Sequence, residues 1–265
     1  MRVDLHIHTT ISDSSLSTKD TLLLAKERGL THVAITNHDT VVGLQEAIEL
    51  GRQIGVHVIP GIEISAYDFK RQKKTHILGY NFNLDAKHIK ALVDPVNARR
   101  DANTKWQVKQ LIQAGYDLTM DEVARKAKDS TAWYKQHIFD VLTSKGYTKE
   151  ELKPLFKKGG ICDRVITYVS AEDAVKAIKA DHGIAVMAHP GQSKTYDLIP
   201  ELVTVGLDGI EKYHPDHQEE DYKIIDDLIR QYHLIQTTGS DFHHTYGPNR
   251  PFGTLIMETV PFKYD

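Results

Sequence analysis

His6 and His8 stand two apart in the run VDLHIHT, with Asp13 shortly after them. Two imidazoles at that spacing on a strand share one face and can reach one cation. The same residue types recur along the chain. His38 follows HVAITN, Glu63 lies in GIEIS, His76 in THILGY and His189 in AHPG; His214 and His217 lie in KYHPDH, and Asp241 and His243 in GSDFHH. Mixed imidazole and carboxylate donors suit divalent ions of the Mn, Zn or Fe type. A carboxylate such as Glu63 or Asp241 can bridge two ions about 3.5–4 Å apart, as two-metal hydrolases require. Three such ions set against Asp13, Glu63, Asp241 and a bridging hydroxide leave surplus positive charge, which suits a phosphate. With two ions the surplus vanishes.

Residues so far apart meet only if the fold gathers strand ends. Val3, Leu5 and Ile7 alternate with Asp4, His6 and His8, a period-two pattern that predicts a strand. Leu16 to Arg28 reads as a helix, His32 to Asn37 as a buried strand, Gly43 to Arg52 as a helix and Val56 to Ala66 as a strand. A charged turn, Lys70 to Lys74, leads into the strand Thr75 to Asn81. This rhythm predicts an α/β fold with parallel pairing, in which C-terminal strand ends converge on one mouth. From Asp85 to about Val169 the rhythm gives way to helices: one starting at Pro95, one at Ala132 to Lys145, and capping boxes at Thr119–Glu122 and Thr148–Glu151. Residues 85–169 therefore read as an inserted helical subdomain capping a barrel of residues 1–84 and 170–265. The alternation resumes at Ser170 and runs through the strands Ile184 to Ala188, Gly209 to Tyr213 and Leu234 to Thr238; Pro248 to Met257 is expected as a closing strand.

The chain has 265 residues, a formal net charge of −3 and 15 histidines. That charge offers no basic field for long nucleic acid. The single cysteine, Cys162, rules out an internal disulfide and a cysteine zinc cluster, and reads as inert packing. No leader and no apolar run of membrane length is visible, so a cytoplasmic protein with no membrane partner is expected.

Taken in order, DLHIHT with SDS, ITNHDT, GIEIS, THILGY, AHPG, GIEKYHPDH and GSDFHH resemble the motifs of the polymerase and histidinol phosphatase (PHP) superfamily. The resemblance implies a distorted (β/α)7 barrel holding two or three divalent ions (Mn, Zn or Fe). His6, His8, Glu63 and Asp241 then correspond to the first ion's ligands, Glu63, His76 and His189 to the second's, and Asp13, His38 and His243 to the third's. The insert and the GIEKYHPDH stretch look most like the branch of small phosphoesterases acting on 3′,5′-nucleotide bisphosphates and short RNA 5′ ends. Two departures stand out. Lys135-Gln136-His137 occupies the place of an Arg-Pro-His element, and Asn37 stands where the family usually has Asp.

The implied reaction is phosphate-ester hydrolysis by a hydroxide bridging two metals, on a small phosphorylated substrate, best a nucleotide. Asp39 and His217 are the candidate proton donors, and His217 is also a candidate phosphate contact. Arg99, Arg100, Lys135, His137 and Arg164 are the insert's candidates for holding a second phosphate, together with His214. Trp133 and Tyr134 are candidates for stacking a base, and Glu211 for orienting a ligand histidine. His32, His57, His88, His182 and His233 read as structural or surface residues. Histidinol-phosphate hydrolysis, 5′-to-3′ cleavage of short RNA, metal-assisted amide hydrolysis and a non-catalytic metal-binding domain are the competing readings.

Overall fold

The computed structural model of the chain describes residues 1–248 and 252–264. Eight strands form one sheet: β1 (Val3–Ile7), β2 (His32–Ile35), β3 (His57–Asp68), β4 (Lys73–Tyr80), β5 (Val169–Ser170), β6 (Ile184–Met187), β7 (Gly209–Tyr213) and β8 (Ile235–Thr238). Seven of them follow the order β1-β2-β3-β4-β6-β7-β8, while the two-residue β5 pairs with β3 alone. A parallel bridge between Ile7 and Phe242 brings the two ends of that path together, so the sheet is a nearly closed barrel. The expected closing strand over Pro248 to Met257 is not formed among the described residues; Met257 makes an isolated antiparallel bridge to Val3, and 249–251 lie outside the described residues.

Pairing is parallel except at β4, which runs antiparallel to both β3 and β6. The parallel pairing expected of the strand–helix alternation holds for β1, β2 and β3, and β4 departs from it. The turn between β3 and β4 is too short for a crossover, which needs about a dozen residues, so a hairpin is the only connection available. His76 therefore reaches the mouth from the early part of its strand, opposite Ser65.

On β3 and β4 the residues in step with Glu63 and His76, namely Ile59, Leu78 and Tyr80, join Val3, Leu5, Ala34 and Val186 in a cluster inside the barrel. Val33, Ile35, Ile62, Ile64 and Ile77 face outward, packing with the helices α1 (Thr18–Glu27), α2 (Leu44–Ile54) and α7 (Ala171–Ala180) among others. The register between β1 and β2 shifts between Asp4 and Ile7, and Ile7 joins the outer cluster while Val3 and Leu5 join the inner one. A break in the alternation thus precedes the histidine pair.

Helix α3 (Lys87–Gln113) is longer than the expected helix from Pro95, which lies inside it. Its N-terminus has no local side-chain cap. Asp181, from the turn before β6, accepts the amide hydrogens of His88 and Ile89 at 2.9 and 2.8 Å. Buried Ile89, Val93 and Val96 hold the first turns against the barrel, which offsets the one bond the proline removes. Further along, Val108 and Leu111 enter a separate hydrophobic cluster with residues of α4 (Met120–Lys126), α5 (Lys135–Ser144) and α6 (Lys149–Leu152). The capping boxes of α4 and α6 are those expected. Helix α5 starts later than expected because Tyr134, just before it, is held extended, while the Trp133 amide bonds Asp101 at 3.1 Å. The remaining helices are α8 (Pro190–Ser193), α9 (Ile199–Val203) and α10 (Glu219–Tyr232). No described helix is long and apolar enough to cross a membrane.

Candidate metal centre

Glu63, on β3, is the point to which the histidines converge. Its Oε2 lies 3.1 Å from His6 Nε2, 3.1 Å from His8 Nε2 and 3.2 Å from His38 Nδ1. Its Oε1 lies 2.6 Å from His76 Nδ1 and 3.0 Å from His189 Nε2. Asp241 Oδ1 is 3.5 Å from His6 Nε2 and 3.3 Å from His8 Nε2. Asp13 Oδ1 stands 3.3 Å from His243 Nε2, and Asp13 Oδ2 is 3.9 Å from His38 Nε2. Three donor groups result, each with ligand atoms within 4.8 Å of one another: His6-His8-Glu63-Asp241, His38-Glu63-His76 and His8-Asp13-His38-His243. The fold thus brings all nine sequence-selected ligand candidates to one mouth. His189 reaches Glu63 from just beyond β6, and His38 sits between two groups rather than in one.

These donors fit divalent cations. His6 Nε2, His8 Nε2, His38 Nδ1, Glu63 Oε2 and Asp13 Oδ1 are buried atoms without a hydrogen-bond partner. Each such atom costs about 1–3 kcal/mol unless something satisfies it. Imidazole and carboxylate lone pairs aimed at one another at about this range call for a shared cation. The electrostatics agree. Burial alone would raise the Glu63 carboxyl, yet His38, His6 and His76 hold it well below the usual carboxylate range. Burial alone would lower His243, yet Asp13 and Asp241 raise it to about 9.

A second ring of residues sets the orientation. Glu211 Oε1 lies 2.9 Å from His6 Nδ1, and Glu211 Oε2 accepts the amide hydrogen of His189 at 2.8 Å. Holding Nδ1–H on His6 leaves its Nε2 lone pair pointing at Glu63. Burial would raise Glu211, but His6 brings it down to about 2. Glu211 therefore does orient a histidine, as its place before KYH suggested. Asn37 Oδ1 accepts from Thr9 N–H at 2.9 Å and from Ser12 Oγ at 2.9 Å, fixing the loop that carries Asp13. Asp39, His189 and Asp241 all have positive φ, at 53°, 26° and 49°. Such strain, of order 1–3 kcal/mol per residue, collects where side chains must be aimed.

Several sequence-selected residues are spent elsewhere. His217 donates Nδ1–H to the Lys212 carbonyl at 2.7 Å and accepts at Nε2 from Gly191 N–H at 3.1 Å, so neither nitrogen can serve substrate. Asp39 accepts from the Arg100 guanidinium and, at 2.8 Å, from Ser65 N–H. Both of its oxygens are thereby engaged within the protein. His137 is buried, its Nδ1 accepting Tyr134 N–H at 3.0 Å to cap α5. Arg99 bonds the Thr167 carbonyl at 2.9 Å on the surface. His214 is buried behind Asp241, its Nε2 3.4 Å from Asp241 Oδ2. What remains in place is a cleft of about 270 Å³ whose lining includes Asp13, His38 and His76 together with Lys74, Arg100, Lys135 and Arg164. Lys74, which also lines it, carried no signal of its own in the sequence beyond charge and position, and Gln136 stood out there only as a departure from the Arg-Pro-His element.

Comparison with known proteins agrees with this geometry. The family model described as PHP domain matches residues 4–186. A phosphoribosyl 1,2-cyclic phosphate 1,2-diphosphodiesterase of Eggerthella lenta is 46% identical over 248 residues, covering 92% of this chain and 95% of that protein. A 3′,5′-nucleoside bisphosphate phosphatase of Chromobacterium violaceum is 27% identical, covering 91% of this chain and 87% of its own length. Among solved structures, a metal-dependent phosphoesterase from Bifidobacterium adolescentis superposes with a TM-score of 0.86 at 28% identity, over 96% of this chain and 91% of that one. Ligand cluster, barrel and relatives lead to one conclusion: the chain belongs to the PHP domain family and is a metal-dependent phosphoesterase.

Proposed function

We propose that the chain hydrolyses the phosphate ester of a small sugar phosphate bearing a second phosphoryl group, with a phosphoribosyl cyclic phosphate as the substrate of choice. The observation that carries this reading is the cleft, which joins the histidine–carboxylate floor to Lys74, Arg100, Lys135 and Arg164. The reacting phosphoryl group sits over Glu63 and its histidines, and a distal phosphate meets the cationic wall. His6, His8, Glu63 and Asp241 would hold one ion, Glu63, His76, His189 and His38 a second, and Asp13, His38 and His243 a third. Ions held by these residues would supply a water of pKa about 7 and would neutralise charge on the phosphoryl oxygens. The cation wall is crowded: burial in the cleft and then Lys74 lower the Lys135 ammonium, an arrangement that a bound anion relieves.

Two features favour a sugar over a nucleotide. Arg100 lies over the Tyr134 ring at 4.9 Å and Lys74 over the Tyr168 ring at 5.3 Å, so two of the cleft's three tyrosine and phenylalanine rings, Phe156 being the third, already carry a cation. Trp133, the other stacking candidate, is not among the residues lining the cleft. The cleft volume of about 270 Å³ is at the small end for ligand sites and fits a sugar phosphate better than an RNA end. The 46% identity to the cyclic phosphate diphosphodiesterase supports the same choice. A 3′,5′-nucleotide bisphosphate is the second reading, supported by the Chromobacterium relative and by the same pairing of phosphate positions.

The test is substrate competition. Phosphoribosyl 1,2-cyclic phosphate, adenosine 3′,5′-bisphosphate, a 5′-phosphorylated oligoribonucleotide and histidinol phosphate are compared by kcat/KM, with products followed by phosphorus NMR. The cyclic phosphate is expected to lead. Preference for the bisphosphate would move the assignment to the second reading, and turnover of the oligonucleotide alone would sink both.

A further inference from the structure

The loops after β1 and β2 carry Asp13 and His38, and the helical insert touches both through one short run of residues. Ser130 Oγ donates to the Ser12 carbonyl at 2.7 Å, and Thr131 N–H donates to the Ile11 carbonyl at 3.0 Å. Tyr134 OH donates to the His38 carbonyl at 3.1 Å. Gln136 goes further, its Nε2 donating to Asp13 Oδ2 at 2.8 Å. The other oxygen, Oδ1, faces His243 Nε2 at 3.3 Å and His8 Nδ1 at 3.6 Å. A carboxylate is planar, so anchoring one oxygen sets the direction of the other. The amide does this without charge, so it turns Asp13 without competing against a cation as a lysine would.

We infer that Gln136 is a positioning residue, through which the insert aims Asp13 at the cation position built from Asp13, His38 and His243. The inference rests on the metal-centre reading above and adds an asymmetry to it. The donors of every group come from the barrel, but the Asp13 carboxylate is also held by a side chain of the insert, Gln136. Partners that hold a ligand in orientation commonly contribute about 10–100-fold in metal affinity.

The test uses the full chain, stripped with chelator and titrated with Mn²⁺ alone, with free Mn²⁺ read by electron paramagnetic resonance. Gln136→Leu, which keeps the volume and removes the donor, is expected to weaken one class of Mn²⁺ site about tenfold. The other classes and the melting temperature of the metal-free protein should not move. Asp13→Asn should weaken the same class, and the double variant should lose little beyond the Asp13 change, because the two residues act as a unit. Unchanged Mn²⁺ binding in Gln136→Leu overturns the inference alone. So does equal weakening of every class with a lower melting temperature, the mark of a general packing role. A wild-type chain that takes up no Mn²⁺ overturns the metal-centre reading and this inference with it.

Discussion

The buried Asp39 carboxylate and the partly buried Arg100 guanidinium form an ion pair that ties the loop after β2 to the middle of α3. Arg100 adds a 2.8 Å bond to Ser65 Oγ and lies over the Tyr134 ring. Two residues expected to act on substrate thus satisfy each other first, and Arg100 reaches the cleft from a fixed position. Its Nε is buried and without a hydrogen-bond partner.

Removing one member of a buried pair leaves a charge stranded, at a cost of about 3–5 kcal/mol. Asp39→Asn should therefore destabilise the protein by about 3 kcal/mol in urea unfolding. A loss under about 1 kcal/mol would mean that the pair behaves like an exposed one.

His217 is expected to be silent in catalysis, because both ring nitrogens are engaged within the protein. Its partner Gly191 packs so tightly that an added Cβ would lie 2.5 Å from His217 Cδ2. His217→Gln should lower kcat by less than about tenfold and leave the shape of the pH–rate profile intact. A fall of about 10²–10⁴-fold with loss of one limb is what a missing general acid produces, and it would restore His217 to that role.

Acid should destabilise the fold through His137. Burial lowers this imidazole to about 4, and its Nδ1 must stay unprotonated to accept Tyr134 N–H. In the unfolded chain it takes up a proton near the ordinary value of about 6.5. Between these values the unfolded state binds more protons, so the contribution is complete above about 6.5 and fades as pH falls toward 4. The span corresponds to a few kcal/mol, about 3 at most. His137→Asn, which keeps an acceptor but does not titrate, should flatten the unfolding free energy over that range. An unchanged slope would place the titrating group elsewhere.

The metal centre was legible because residue type and strand-end position are both visible in a sequence. His6, Glu63, His189 and Asp241 need only the barrel to meet. The residues around them were less legible, for a geometric reason. Lys135, Gln136 and His137 are consecutive on the first turn of α5, and successive helical residues point about 100° apart. One enters the cleft, one meets Asp13 and one turns inward, and only tertiary packing decides which. The direction of β4 was hidden for a related reason, since alternation reads the same whichever way a strand runs. The start of α3 was missed because its cap, Asp181, lies far along the chain.

The reversed course of β4 delivers the chain to the end of the barrel away from the mouth, and α3 must bring it back. At 27 residues that helix is about 40 Å long, rooted in the barrel core at Ile89 and Val93 and in the insert's own core at Val108 and Leu111. A single rod shared by both clusters couples them, and Pro95, its one internal proline, is the place along it where a bend would form. Any opening of the cleft between the two clusters would therefore pass through that residue or through the side chains that line it.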